Sequence, residues 1–166
     1  MKTHALRAAC TALAIALASA ARADPPPLDL ATFPRAALEI VQSSPQPPRR
    51  FHFDVWVADT PARSEQGLMF VRDLPSERGM VFPFDPAHVV SFWMKNTYIE
   101  LDLLFIAADG RVVKIIERAA PLRLDLLSSD VPVGAVLELR GGEAGLLGLK
   151  VGDQVSWKRA GNARTP

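Results

Sequence analysis

The chain has 166 residues, 49% of them hydrophobic and 22% charged, with 19 basic side chains against 18 acidic ones. That is enough for one ordinary hydrophobic core. It excludes the clustered positive charge of a nucleic-acid-binding surface, and the single cysteine, Cys10, excludes a disulfide framework.

The first residues address the chain. Lys2 and Arg7 precede an apolar run over residues 8–20, and Ala21-Arg22-Ala23 places small residues where a signal peptidase reads them. The pattern predicts a secretory signal over residues 1–23, cleaved after Ala23, and a periplasmic or secreted product. The run is shorter than the roughly 20 residues that a membrane span needs, so no membrane association is expected after cleavage. Lys2, Arg7 and Arg22 leave with the signal, taking 19 basic residues to 16 against 18 acidic ones, a net charge of −2. Cys10 leaves too.

Half of the 14 prolines lie between residues 24 and 50. The front of this stretch, residues 24–35, reads as an extended, loosely ordered arm, and a single domain is predicted over 36–158. Residues 37–42 (ALEIVQ) form a candidate strand. Residues 50–59 alternate, with Phe51, Phe53, Val55 and Val57 on one side and His52, Asp54 and Trp56 on the other, as in a half-buried strand. Thr60-Pro61 opens a short helix and Gly67 can close it in a left-handed conformation. Gly79-Met80-Val81-Phe82 is a short apolar strand.

Residues 91–102, SFWMKNTYIELD, concentrate the chemistry of the chain. Read as a strand, they put Val90, Phe92 and Met94 on a core face and Ser91, Trp93, Lys95 and Thr97 on the other. Residues 101–107 would return as the second arm of a hairpin and bring Asp102 near Lys95, provided that the register holds. Asp109-Gly110 is a two-residue turn signal leading to a strand over 111–117. Residues 121–132 read as a long loop, 135–139 as a strand, 142–147 as a helical turn stopped by Gly148, 154–157 as the last strand, and 159–166 as a polar tail. Many short strands with two short helices predict one mainly β (α+β) domain, antiparallel or mixed and barrel-like.

Several of these motifs together resemble the DUF192 family. They are Asp59-Thr60-Pro61, Gly67-Leu68-Met69-Phe70, Arg72 with Leu74-Pro75, Gly79-Met80, Phe92-Trp93-Met94-Lys95-Asn96-Thr97, Leu101-Asp102 and Gly152-Asp153. The resemblance runs from about Phe51 to Trp157 and implies a small domain, often exported, with its site near the FWMKNT run. The family pattern carries proline where this chain has Glu100.

The candidate ligand-binding residues are Trp93, Lys95, Asn96, Asp102, Arg72 and Met69. An indole face suits a ring or a cation, and an ammonium beside an amide suits a carboxylate or phosphate. The competing structural reading is a Trp packed on the sheet with a cross-strand Lys95–Asp102 pair, and turn chemistry at Asn96. Met69, Met80 and Met94 with Trp93, and His52 or His88, form a candidate soft-metal site whose thioether and imidazole groups suit Cu(I), although Met is an ordinary core filler. The mature chain lacks H-E-x-x-H and G-x-S-x-G and has no cysteine nucleophile. Acid–base work by Asp102 or Glu100 with Lys95 is the remaining enzymatic reading, and no catalytic residue, metal ligand or cofactor is assigned. The glycines at 141, 142, 148 and 152 suit tight turns better than a phosphate cradle. The expectation is an exported, non-catalytic binding or accessory module for a small polar or anionic ligand. The sequence is silent on protein partners and oligomeric state.

Overall fold

The computed structural model describes residues 26–44 and 46–159; the signal predicted over residues 1–23 and most of the predicted tail lie outside them. A mixed seven-stranded sheet organises the molecule. Its strands are β1 (Arg35–Val41), β2 (Arg50–Val57), β3 (Arg78–His88), β5 (Leu101–Ile106), β6 (Val112–Ala119), β8 (Val133–Arg140) and β9 (Gln154–Arg159), in the order β6-β5-β8-β3-β2-β1-β9. Two short strands, β4 (Ser91–Phe92) and β7 (Leu127–Ser128), form a separate ribbon.

All pairings in the large sheet are antiparallel except β2 with β3, which run parallel through the crossover helix α1 (Pro61–Gln66). The start of α1 follows from local chemistry. The Thr60 side chain accepts from the Arg63 amide at 3.3 Å, Pro61 takes a position whose N–H would go unused, and Gly67 leaves the helix at φ 51°. The second helix, α2 (Glu143–Leu147), is a single turn closed by Gly148 at φ 70°.

The sheet is mainly β as expected, but it is not a closed barrel. Its edge strands β6 and β9 meet only at one corner, through the Arg111–Gln154 bridge and the neighbouring bonds Val112 N–H to Asp153 O and Val155 N–H to Gly110 O. Both faces of the sheet are covered. One carries a core that includes Leu38, Ile40, Val55, Leu104 and Leu137. The other packs Met80, Phe82, Leu103, Phe105 and Val136 against Leu68, Leu74, Val90 and Met94 from the overlying segments.

Two expectations change. The hairpin between residues 91–97 and 101–107 does not form: β4 pairs with β7, while β5 lies between β6 and β8. The ladder ends after Phe92, because Thr97 N–H closes a turn on Met94 O and Asn96 takes φ 54°. β5 is buried along its whole length, which only a central position between two strands provides. The arm is also partly fastened. Asp29 caps a 3-10 turn over Leu30–Thr32, the Gln66 side chain donates to Leu28 O at 2.9 Å, and Phe33 is buried.

Candidate functional site

A hollow of about 450 Å³ lies on the second core face under the end of α1 and the β4 ribbon. Gly67, Leu68 and Met69 form one wall as the chain leaves α1. Phe82, Phe84 and His88 come from β3, Val90 to Trp93 from β4 and its flanks, and Thr97 from the turn after it. Phe82 meets Phe92 edge-to-face with ring centroids 5.0 Å apart, and Phe84 meets His88 in the same way at 5.2 Å. The remaining lining residue that matters is Glu138, from the middle of β8.

Glu138 is 5% exposed, and its Oε2 is buried with no hydrogen-bond partner among the described residues. Its side chain shares a sheet face with its cross-strand neighbours Met80 on β3 and Leu103 on β5, both fully apolar surroundings. Burial without a counter-charge disfavours the ionised form and pushes its carboxyl up to about 8. A Cβ added at Gly67 would stand 3.9 Å from Glu138 Oε2 and 3.2 Å from Phe82, so the backbone closes over the acid on that side. A neutral buried acid can donate one hydrogen bond, and an ionised one can accept several or pair with a cation. The site therefore has an aromatic body with one switchable polar group.

The structure separates the six residues that the sequence grouped. Met69 and Trp93 line the hollow, Trp93 at 43% exposure on its rim. Lys95 does not enter it; its Nζ lies 5.3 Å from the Trp93 ring centroid. Asn96 serves as a turn residue whose carbonyl accepts from Phe70 N–H at 2.8 Å. Arg72 is exposed and stacks on Tyr98, its guanidinium 4.6 Å from the ring.

Asp102 does not face Lys95 across a hairpin. It is completely buried, its Oδ1 accepts from the Arg118 and Gly142 amides at 2.8 Å each, and its Oδ2 accepts from the Ala144 amide at 2.7 Å. The carboxylate thus fastens the start of α2 and the bulge at Arg118, where φ is 49°. Glu100 pairs with Arg118 at 2.9 Å rather than shaping a rigid turn. Of the candidate metal ligands, Met80 and Met94 are packed into the second core, Met69 lines the hollow, and His52 is exposed on β2. Among the described residues no group of three or more His, Cys, Asp or Glu is gathered for a metal ion, and no helix is long and apolar enough to cross a membrane.

Glu138 went unnoticed in the sequence because alternation assigns it, with Arg140, to an outer face of its strand. A charged residue inside VGAVLELR was the available signal, since every residue from Ala135 to Leu139 is buried.

The DUF192 family model, described as an uncharacterized ACR, matches residues 43–157. No curated protein matches the chain. Among solved structures, a protein of Sinorhizobium meliloti 1021, provisionally described as a transcription regulator, is 36% identical with a TM-score of 0.72, over 75% of this chain and 95% of that one. A protein of unknown function from Novosphingobium aromaticivorans DSM 12444 is 38% identical with a TM-score of 0.67, over 74% of this chain and 84% of that one.

Proposed function

The chain belongs to the DUF192 family, and from that premise we propose that it is a binding module that takes a small ligand with an apolar body and one polar group into the Glu138 hollow. The observation that carries the reading is the buried, unpartnered carboxyl at the floor of an aromatic-lined pocket. Leaving a polar group unsatisfied costs roughly 1–3 kcal/mol, and a bound ligand that completes it recovers that cost. The hollow falls within the range of small-molecule sites, roughly 300–1,000 Å³. Its lining supports a purely anionic ligand less well, because it contains Glu65 and Glu138 and no lysine or arginine.

Export remains part of the proposal and rests on residues 1–23. An enzymatic reading draws support from Glu138 as well, since an acid held near neutral pH can transfer protons. Binding stands ahead of it because the other titratable residues of the lining, Glu65 and His88, are exposed rather than set against the acid. The Asp102–Lys95 pair supplies no such chemistry, since the Asp102 oxygens are already engaged by amides.

A thermal-shift screen of small metabolites against the parent and a Met69→Trp variant tests the reading. We expect at least one ligand to raise the parent's melting temperature and to lose that effect in the variant, whose pocket the indole fills. A parent that responds to nothing, or a variant that responds equally, would remove the hollow as the site.

A further inference from the structure

We propose that the occupant of this hollow is an organic ammonium ion, with its charge against Glu138 and its alkyl shell against the surrounding aromatic rings. The inference rests on the binding reading above and adds the class of ligand.

Three observations converge on it. The lining has two carboxylates, Glu65 and Glu138, and no lysine or arginine. Four aromatic side chains border the same space: Phe82, Phe84, Phe92 and Trp93. Their π faces attract cations, most strongly where water is excluded, and aromatic enclosures of this kind recognise alkylated ammonium groups. Finally, Glu138 Oε2 is buried with no hydrogen-bond partner among the described residues, and a cation of low hydration is the partner that satisfies it without a demanding hydrogen-bond geometry.

The charges around Glu138 keep this simple. From β3 it is faced by Met80 and Phe82, and from β5 by Leu103. On its own strand Arg140 is paired with Glu143 of α2 at 3.0 Å. Across the hollow stand Glu65 and His88, both exposed. Lys95 lies outside on Trp93. Binding of a fixed cation therefore ionises Glu138 and releases its proton to solvent, because the cation is the only positive charge brought to it.

Choline tests the class, since its charge is independent of pH, with 3,3-dimethylbutan-1-ol as its neutral carbon isostere. Titrations followed by intrinsic tryptophan fluorescence at pH 6 and pH 8 should show choline affinity rising by roughly 50-fold, in proportion to the ionised fraction of an acid titrating at about 8. The isostere should show no such rise. Glu138→Gln should abolish the pH dependence for choline. Calorimetry of the parent at pH 7 in two buffers of different ionisation enthalpy should detect about one proton released per choline, a readout that does not depend on any variant folding. Lys95→Met should bind choline at least as tightly as the parent.

Co-sedimentation with phosphatidylcholine but not phosphatidylglycerol vesicles would place the ammonium on a lipid headgroup; free choline binding without it places it on a soluble ligand. If the isostere binds and choline does not, the hollow is a ligand site but the cation is wrong. If neither binds, the ammonium assignment falls, and the metabolite screen decides whether the hollow is a ligand site at all. Loss of choline binding in Lys95→Met would also overturn the assignment.

Discussion

Replacing Glu138 with glutamine should change how stability depends on pH. In the folded protein burial keeps this carboxyl protonated to about pH 8, while its ordinary value is 4.5. Between those two values the unfolded chain is ionised at this position and the folded one is not, so unfolding releases a proton. The stabilisation is fully present below pH 4.5 and is lost as pH rises, at about 1.4 kcal/mol per unit, until the folded state also ionises near 8. The whole window amounts to about 5 kcal/mol, a large fraction of the 5–15 kcal/mol typical of a small domain. Glutamine does not titrate. The stability difference, variant minus parent, should therefore rise by about 4 kcal/mol between pH 5 and pH 8. Urea unfolding followed by circular dichroism at fixed ionic strength measures it, and taking the difference cancels every group common to both proteins. Parallel pH profiles would refute the reasoning, because they would mean that Glu138 is already ionised and compensated in the folded state.

The other expectations are more local. Asp102→Asn keeps the shape of the side chain but turns one carboxylate oxygen into an NH2 group, leaving at least one of three buried amides facing a donor, and should cost about 1–3 kcal/mol in the same urea assay. A loss below about 1 kcal/mol would mean that those amides find other partners. Gly79→Ala would place a methyl 2.9 Å from Leu139 Cδ2 and 2.4 Å from Glu138 O, the latter a backbone atom that cannot give way. It should destabilise by at least 1–3 kcal/mol, roughly the cost of overpacking, and an unchanged melting temperature would contradict it. Intact mass of protein recovered from the periplasm should correspond to a chain beginning at Asp24; an unprocessed Met1 chain in the cytoplasm would remove export.

How far the sequence could be read depended on the range of the interactions involved. Thr60-Pro61 and Asp109-Gly110 are governed by neighbours a few residues away, and the helix and turn that they predict are present. Strands β2 and β8 stand where alternation or apolar runs put them. The stretch after Phe92 misled because alternation presumes a continuing ladder, whereas the Met94 amide bonds to Arg123 O and Asn96 turns the chain. Asp102 was taken for half of an ion pair because its true partners are backbone amides, two of them 40 and 42 residues away, which carry no side-chain signature. Glu138 was hidden by a related assumption. Its strand is covered on both faces, so the position that alternation gives to solvent is the floor of a hollow. Trp93 and Met69, two of the six ligand-binding candidates, line the hollow, but the acid that lines it with them was not among the six.

The most direct test is a carbon-13 NMR titration of the Glu138 side-chain carboxyl, with and without choline. An apparent pKa of about 8 in the free protein, falling markedly when choline is bound, is the predicted result. A carboxyl that titrates near 4.5, or one whose titration choline leaves unmoved, would contradict an unpaired buried acid waiting for a cation.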